Sequence, residues 1–446
     1  MKRYHLLLVL FLFAGCVEDV PFLEENWVRV LGEETNSFGE RILELENGDL
    51  MVLGELGIAA FDVVNPGDAT EIGEIEDQGP AIFITDANGN LKETHAWPFD
   101  DTETEFVDFI NFENTTRFID IVNDARGGWT VLAESRNFDG IINGDTIMST
   151  ASSQFVTYFL FSLTGDFQLK EIKPVNFGAD WDLRYRIRMS MQKLNESQII
   201  LFAGWNFDFS LPVGSLPEGY DYFIIDHDLN FISNYRFLAP GTNKLGNRFI
   251  INDQNELIIS GQVSNANGHF QTLFRNPIGS TTEQTIIVDQ RGTFQPINNN
   301  EHFPIQLTDG RYAVAYTNAP GEIKVNVFDE LLRSERIFSV GPFEKWEDPV
   351  ARTGPTRSPR AFIPLDNGDM LLLTVFQPSR EPFDIVTDLY RLTPTGNQVF
   401  HRRLQGTPGD IIQSKDGNII VVTNSPYNVP FEKITIRKLS PNGKVF

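Results

Sequence analysis

Aromatic and carboxylate side chains are interleaved in several long segments that lack a strand pattern, such as residues 97–109, 205–209 and 220–222. Exposed aromatic rings can stack on sugars or anchor a protein partner. The same rings could instead pack the loops onto the body of the protein. We favour this second interpretation because the chain has 37 Phe. The candidate ligand-binding residues are Trp97, Phe99, Trp205, Phe207, Tyr220, Trp346 and Arg352.

Residues 346–360 form a basic patch among these segments, with Arg352, Arg357 and Arg360. Guanidinium groups bind carboxylates and phosphates in a planar, forked geometry. The patch could therefore meet an anionic ligand. It could also offset neighbouring carboxylates, which is the interpretation that so acidic a chain favours.

Familiar catalytic and metal-binding motifs are absent from the sequence. It has no Gly-x-Ser-x-Gly elbow, phosphate loop or dinucleotide fingerprint, and its histidines are scattered. Two segments, starting at Asp86 and Asp226, begin like calcium loops, but Leu91 and Phe231 stand where such a loop needs glycine. They are interpreted as hairpin turns. We therefore predict no catalytic residue, metal or cofactor. Paired carboxylates are common in so acidic a chain, so their presence does not distinguish an enzyme from a binding protein.

Cys16 is the only cysteine in the chain, so no disulfide can form within it. Before it lie Lys2 and Arg3, an apolar stretch over 6–13, and the small residues Ala14 and Gly15. This is the three-part pattern of a secretion signal. The apolar stretch spans roughly 12 Å as a helix, too short for the ~30 Å hydrocarbon layer. The thiol of Cys16 is then a nucleophile available for lipid attachment.

The segment 13–16, Phe-Ala-Gly-Cys, resembles the lipobox of bacterial lipoproteins, with Phe13 where that family usually has Leu. The resemblance implies a signal peptide over 1–15, a diacylglyceryl and N-acyl anchor on Cys16, and a tether over 16–26. The following Glu18 and Asp19 resemble the surface-export tag of lipoproteins in the Bacteroidota. We therefore expect the outer membrane of the cell envelope as the location, with outward orientation as a hypothesis.

The chain carries a formal net charge of −25. Such a charge repels phosphate backbones, so nucleic-acid binding is disfavoured. Solubility of an exported protein explains the acidity more simply than an acidic recognition face does. A hydrophobic content of 41% argues for a large folded core rather than disorder.

A repeated pattern runs through the chain: an apolar run, a turn with Asn or Asp and usually Gly, and a second apolar run. Such runs predict a β-hairpin, because glycine accepts the positive φ of the turn. Most copies are followed by a second hairpin, as in 81–91 and 389–399. The equivalent turn positions are 48, 127, 196, 255, 310, 368 and 417.

Seven units of two hairpins predict an all-β fold, a single β-propeller of seven four-stranded blades over 27–446. The last unit lacks a fourth strand, while an orphan strand over 27–30 precedes the first unit. We expect this strand to complete the last blade and close the ring. A flat or open stack of hairpins is the alternative. In a propeller the tight turns lie on one face, and the long connections lie together on the opposite face, here called the variable face.

Segments 410–425 and 439–445 are similar to the repeat of exported propeller proteins common in the Bacteroidota. That resemblance implies secretion and a binding or scaffolding role, without a shared catalytic motif. We therefore expect a lipoprotein whose variable face binds a glycan or an envelope protein. The alternative is a polysaccharide hydrolase or lyase that uses carboxylates at the channel mouth. Whether the chain is an enzyme stays open, with a binding protein favoured, and a purely structural role in an envelope complex is a third option.

Overall fold

The computed structural model describes most of the repeat region. The described residues are 28–31, 37–56, 79–97, 107–111, 116–124, 126–136, 139–142, 145–147, 156–175, 186–206, 219–238, 243–265, 268–291, 302–319, 322–341, 356–377, 385–425 and 433–444. None of them forms a helix, and so none provides a helix that could cross a membrane. The proposed signal peptide and the tether, including Cys16, lie outside these ranges.

Seven four-stranded antiparallel sheets form the blades of a β-propeller, which confirms the predicted fold. Strands run outward from the axis in sequence order, except in blade 7. Blade 1 contains β2 (Ser37–Glu44), β3 (Leu50–Leu56), β4 (Gly79–Thr85) and β5 (Leu91–Ala96). Blade 2 contains β7 (Thr116–Asn123), β8 (Trp129–Arg136), β11 (Val156–Leu163) and β12 (Leu169–Pro174). Blade 3 contains β13 (Arg186–Asn195), β14 (Gln198–Asn206), β15 (Gly219–Asp226) and β16 (Phe231–Leu238).

The second half of the ring repeats this arrangement. Blade 4 contains β17 (Asn243–Ile251), β18 (Glu256–Asn265), β19 (Gly268–Pro277) and β20 (Gln284–Arg291). Blade 5 contains β21 (His302–Gln306), β22 (Tyr312–Ala319), β23 (Glu322–Phe328) and β24 (Ser334–Val340). Blade 6 contains β25 (Thr356–Pro364), β26 (Met370–Gln377), β27 (Val386–Leu392) and β28 (Gln398–Gln405). Blade 7 contains β29 (Thr407–Gln413), β30 (Ile419–Asn424), β31 (Ile434–Leu439) and β1 (Val28–Leu31).

Strand β1 closes the ring, as the orphan strand near the N-terminus predicted. It pairs antiparallel with β31, with Val28 opposite Arg437 and Leu31 opposite Ile434. Residue 27, where the strand was expected to begin, lies outside the described residues. Blade 7 is thus built from both ends of the described chain, and its outermost strand β1 directly precedes β2 of blade 1 in the sequence.

The core is divided among the seven interfaces between blades, one hydrophobic cluster at each. In β3, Met51 and Leu53 face blade 2, whereas Leu50 and Val52 face blade 7. Because successive side chains of a strand point to opposite faces, a strand between two blades is buried on both sides. This explains why the middle strands are continuous apolar runs.

Tight turns and long connections lie on opposite faces, as expected. Gly48, Gly127, Gly310, Gly368 and Gly417 have φ between 81° and 85° at their hairpin turns, where glycine carries no strain. The long connections follow the second strand of a blade or link one blade to the next. Two of them contain a small accessory sheet that the sequence did not predict.

The accessory sheet has the order β10 (Asp145–Ile147), β9 (Asp139–Ile142) and β6 (Val107–Asn111). It joins the connection between blades 1 and 2 to the connection inside blade 2. It is the one described sheet outside the seven blades.

Candidate functional site

Bulges in the innermost strands place charged side chains around the central channel. The pairing register shifts between Gly39 and Arg41 in β2, and shifts at the same level occur in β7, β17, β25 and β29. A bulge sets two residues opposite one and re-aims their side chains. In β2 the bulge is held from blade 7, because the side-chain amide of Asn424 accepts from Gly39 N at 2.7 Å and donates to Gly39 O at 3.0 Å.

Arg41 lies between two carboxylates from neighbouring blades. Its Nε is 3.5 Å from Asp120 Oδ1 on β7 and 3.6 Å from Asp410 Oδ2 on β29. Both negative charges raise the pKa of Arg41 and outweigh the opposing effect of burial. Since the two oxygens lie within 3.6 Å of one atom, they are no more than about 7 Å apart. This upper limit is compatible with the separations of about 5 to 9.5 Å seen for carboxylate pairs of glycosidases.

The same two aspartates also bind backbone of the adjacent blades. Asp120 Oδ2 accepts from Met191 N at 2.8 Å, and Asp410 Oδ2 accepts from Ile42 N at 3.2 Å. Burial raises the pKa of Asp410, with Arg41 and backbone amides opposing the rise and the negative charge of Asp120 adding to it. Asp410 is therefore protonated more easily than an ordinary aspartate. Its hydrogen bond to Ile42 also links blade 7 to blade 1.

Glu40 is the centre of a second set of ion pairs. Its two carboxylate oxygens accept from Arg117 on β7 and from Arg360 on β25. Arg117 also donates to Glu134 Oε1 at 3.0 Å. Burial lowers the pKa of Arg117, but the surrounding carboxylates outweigh it and the net pKa is raised. Arg117 thus remains fully charged at neutral pH.

Solvent reaches the arginines of this network more than the carboxylates. The side chains of Arg41, Arg360 and Arg117 are 45%, 27% and 23% exposed, whereas those of Glu40 and Asp120 are both 7% exposed. A ligand at this level of the channel therefore meets guanidinium groups with their counter-ions buried behind them. The groups exposed to solvent here are guanidiniums, although the four carboxylates Glu40, Asp120, Glu134 and Asp410 outnumber the three arginines they pair with. We call Arg41, Arg117 and Arg360 the channel arginines.

A second buried ion cluster lies in blade 6 on the side that faces blade 5. Asp388 Oδ1 accepts from His401 Nε2 and from Arg403 Nε, each at 2.9 Å, and Arg403 Nη2 reaches Asp388 Oδ2 at 3.1 Å. Burial alone would raise the pKa of Asp388, but these hydrogen bonds and charges outweigh it and lower the pKa to about 2. Arg357 approaches Asp388 Oδ2 to 3.6 Å and stacks on Phe376, so this carboxylate is fully compensated.

Blade 3 has an aspartate at the same position with far fewer partners. Asp221 and Asp388 each lie five residues before the residue that opens the outer hairpin turn, and each pairs with an arginine on the outermost strand. Asp221 Oδ2 accepts from Arg236 Nε at 3.1 Å, but no hydrogen bond to Oδ1 is present in the described part of the chain. Burial raises the pKa of Asp221 to about 6, with Arg236 opposing the rise.

Two of the predicted ligand-binding residues have described side chains, and these lie in different interfaces between blades. Trp97 is half-buried and packs edge-on against Phe118 with ring centroids 5.2 Å apart. Tyr220 is fully buried between blades 3 and 4, where its hydroxyl donates to Glu283. Trp205 lies in β14, but its side chain is outside the description, and Phe99, Phe207, Trp346 and Arg352 are outside the described residues. Their role in ligand binding stays a prediction.

Two other interpretations from the sequence can be placed in the structure. Arg357 and Arg360 of the basic patch both contact carboxylates, as the offsetting interpretation expected. Asp86 and Asp226 each accept two backbone N–H groups of their own hairpin turn, as Asx turns do. Among the described residues, no group of three or more His, Cys, Asp or Glu side chains is arranged to hold a metal ion.

The channel arginines and their carboxylates were missed from sequence, except for Arg360. A usable signal was present, because Arg41, Asp120 and Asp410 are each the seventh residue before the glycine of a hairpin turn. Alignment of the seven units on those turns would have placed the three residues in one layer around the channel. Charged residue types alone did not indicate this site, because carboxylates are abundant throughout so acidic a chain.

No protein-family model matches the chain, and no curated protein matches its sequence. Similar solved structures include a PL25 ulvan lyase bound to -[GlcA(1-4)Rha3S]-, with 10% identity and a TM-score of 0.49 over 93% of this chain and 96% of that one. The Hadza microbial sialidase Hz136 has 12% identity and a TM-score of 0.45, over 82% and 72% of the two chains. A protein of unknown function from Bacteroides caccae has 12% identity and a TM-score of 0.34, over 64% and 88%. At 10 to 12% identity these similarities do not extend to shared residues or chemistry.

Proposed function

We propose that the channel mouth binds an anionic polysaccharide whose sugars carry carboxylate or sulfate groups. The observation that carries this proposal is the set of channel arginines, which expose guanidinium groups above buried carboxylates. Guanidinium is matched to carboxylate and sulfate by its planar array of donors. The inner strands that hold these arginines start on the variable face, where a long chain can approach from solution.

The acidity of the protein restricts which polysaccharides can bind. Charges farther away than about 8 Å are largely screened at physiological salt, so the exposed guanidinium groups can bind an anionic group although the whole chain is acidic. A densely charged polymer would still meet repulsion along the rest of the surface. The site therefore suits a chain with spaced anionic groups, such as one uronate among neutral sugars, better than a continuous polyanion.

Calorimetric titration with a uronate-containing oligosaccharide and a neutral oligosaccharide of equal length tests the proposal. The double variant Glu40→Gln and Arg360→Gln removes both members of one ion pair, and Arg117, the other partner of Glu40, keeps its ion pair with Glu134. Loss of one charge-assisted hydrogen bond is worth about 1.5 to 3 kcal/mol, so we expect binding of the uronate ligand to weaken about tenfold to a hundredfold. Glu40→Gln alone keeps the cation and should bind as tightly or more tightly.

Arg126→Gln is the matched control, because Arg126 lies in a hairpin turn on the opposite face and pairs with Asp124 and Asp228. It should bind like the unaltered protein. Equal binding of the neutral oligosaccharide, or equal affinity in the double variant and the control, would contradict the proposal.

Cleavage of the bound polysaccharide is a second candidate function, favoured by the separation of Asp120 and Asp410. One carboxyl that is easily protonated beside a second carboxylate is the arrangement that acid–base hydrolysis uses. Asp410→Asn and Asp120→Asn should each reduce the release of new reducing ends by about 10²-fold or more, with oligosaccharide binding retained. Absence of any turnover by the unaltered protein on anionic polysaccharides that it binds would leave binding as the function.

We propose that a lipid on Cys16 attaches the protein to a membrane. The lipobox-like sequence and the lack of other cysteines support this proposal. Two or more acyl chains give stable membrane attachment, at about 0.8 kcal/mol for each buried CH₂. In the exporting cell, Cys16→Ser should move the protein from the membrane fraction to the soluble fraction. Unchanged partition of this variant would refute the anchor.

A further inference from the structure

We infer that the N-terminal tether holds the tight-turn face toward the membrane and leaves the channel mouth on the variable face open to the surrounding solution. This inference rests on the proposed lipid anchor for its cellular meaning, but its geometric basis is the direction of β1. The ligand of the channel mouth would then come from solution and not from headgroups of the anchoring membrane.

The direction of β1 follows from its pairing with β31. As the third strand of blade 7, β31 starts on the variable face and ends at the outer tight turn. Because β1 is antiparallel to it, with Leu31 opposite Ile434 and Val28 opposite Arg437, Val28 is the end nearer the tight-turn face. The chain before Val28 therefore joins the propeller from that side.

Contacts of Arg29 agree with this direction. Its Nε donates to Asn90 Oδ1 at 2.9 Å, and Asn90 belongs to the outer tight turn of blade 1, which opens at Asp86. The start of β1 thus lies beside a tight turn of the neighbouring blade. Leu31, at the other end, packs in the interface between blades 7 and 1 before the chain enters β2.

The tether reaches the membrane from the tight-turn face by a shorter path than from the variable face. Eleven residues lie between Cys16 and Val28, and the twelve steps span about 40 Å when fully extended. A blade with strands of about eight residues is roughly 25 Å tall. To bring the variable face to the membrane, the tether would have to climb this height and also pass the long connections on that face. The tight-turn face needs neither.

The tight turns also offer little for direct adhesion to phosphate headgroups. Arg126 pairs with Asp124, Arg311 with Asp309, and Arg333 with Asp329, each pair within one turn. Pairing within the turn weakens their attraction to headgroups without removing it, so we expect the tether to be the main factor that sets the orientation. We therefore expect the orientation to be insensitive to salt.

Vesicles with nickel-chelating headgroups test the geometry independently of lipidation in the cell. The chain from residue 16 onward, with Cys16→Ser and a hexahistidine tag in front, is bound to them. A single donor dye is placed in blade 6, either at Asp366→Cys in the inner tight turn or at Gln405→Cys at the variable end of β28, both of which are exposed positions. Energy transfer is measured to an acceptor dye on the headgroups.

We expect stronger transfer from position 366 than from position 405, at low and at high salt. As the matched control, the tag is moved to the connection between Gln377 and Val386, on the variable face, and the order of the two signals should reverse. Equal transfer, or stronger transfer from 405 with the N-terminal tag, would overturn the inference. If the order is as expected but Cys16→Ser does not change partition in cells, the proposed anchor fails while the face from which the tether leaves is established.

Discussion

Asp221 in blade 3 and Asp388 in blade 6 occupy equivalent positions, and we expect their replacement by asparagine to change stability in opposite directions at neutral pH. Asp388 accepts hydrogen bonds at both oxygens from His401 and Arg403, whereas Asp221 is bonded at Oδ2 by Arg236. Asparagine keeps the shape of the side chain in both places. The pair of variants therefore isolates the effect of charge.

The magnitudes follow from the two pKa values, at about 1.4 kcal/mol for each pKa unit. The pKa of Asp221 is raised from 3.8 to about 6, so its ionised form destabilises the fold by about 3 kcal/mol. Its favourable contribution is complete below pH 3.8 and is lost as the pH rises through about 6. Asp221→Asn should then be more stable than the parent by about 1 to 2 kcal/mol near pH 8, after loss of the charged bond to Arg236, and the gain should vanish near pH 4.

The opposite sign applies to Asp388, whose pKa is lowered from 3.8 to about 2. Its contribution is present above pH 3.8 and is lost as the pH falls through about 2. Asp388→Asn should therefore destabilise the protein by about 2 kcal/mol at every pH from about 5 to 8. It also leaves the buried Arg357 beside a neutral partner, which adds to the loss.

Urea unfolding followed by tryptophan fluorescence, at several pH values between about 4 and 8, measures both effects. The stability difference between Asp221→Asn and the parent should grow with pH through the region of the raised pKa. A constant difference, or equal destabilisation by both variants at neutral pH, would refute the assignment of these charges.

Three further predictions concern closure and packing. Leu31→Ala should destabilise the fold by about 2 to 4 kcal/mol, because Leu31 is buried between blades 7 and 1, whereas Val30→Ala, at an exposed position of the same strand, should have little effect in urea unfolding. Gly54→Ala should prevent normal folding, since the added Cβ would lie 1.7 Å from a backbone oxygen, whereas Gly48→Ala, at φ +84° with open space, should cost about 1 kcal/mol by thermal unfolding. Asn424→Ala should cost about 2 to 3 kcal/mol by leaving two buried backbone groups of β2 unpaired, and amide exchange should rise in β2 more than in β17.

The fold was predictable because each blade repeats a local signal. Apolar runs around Gly48, Gly310, Gly368 and Gly417 define hairpins by turn chemistry alone, and the structure has positive φ at these glycines. Even Asn255, where the turn lacks glycine, has a positive φ of 57°. Closure was predictable because one strand was missing at the end of the repeat and one was left over at its start.

The candidate site was not predictable from composition or motifs. Arg41, Asp120 and Asp410 come from three blades and meet only because the ring closes and the strands bulge at the same level. No local pattern encodes that convergence. The accessory sheet was not predicted from the sequence for a similar reason, because its strands are short and lie in two separate connections.

A structure of the protein in complex with a uronate-containing oligosaccharide would show whether the channel arginines bind the ligand. We expect the ligand at the channel mouth on the variable face, with a carboxylate oxygen about 2.7 to 3.2 Å from a guanidinium nitrogen of Arg41, Arg117 or Arg360. A ligand held on the outer strands or on the tight-turn face, or in the channel without a contact to any of the three arginines, would contradict it.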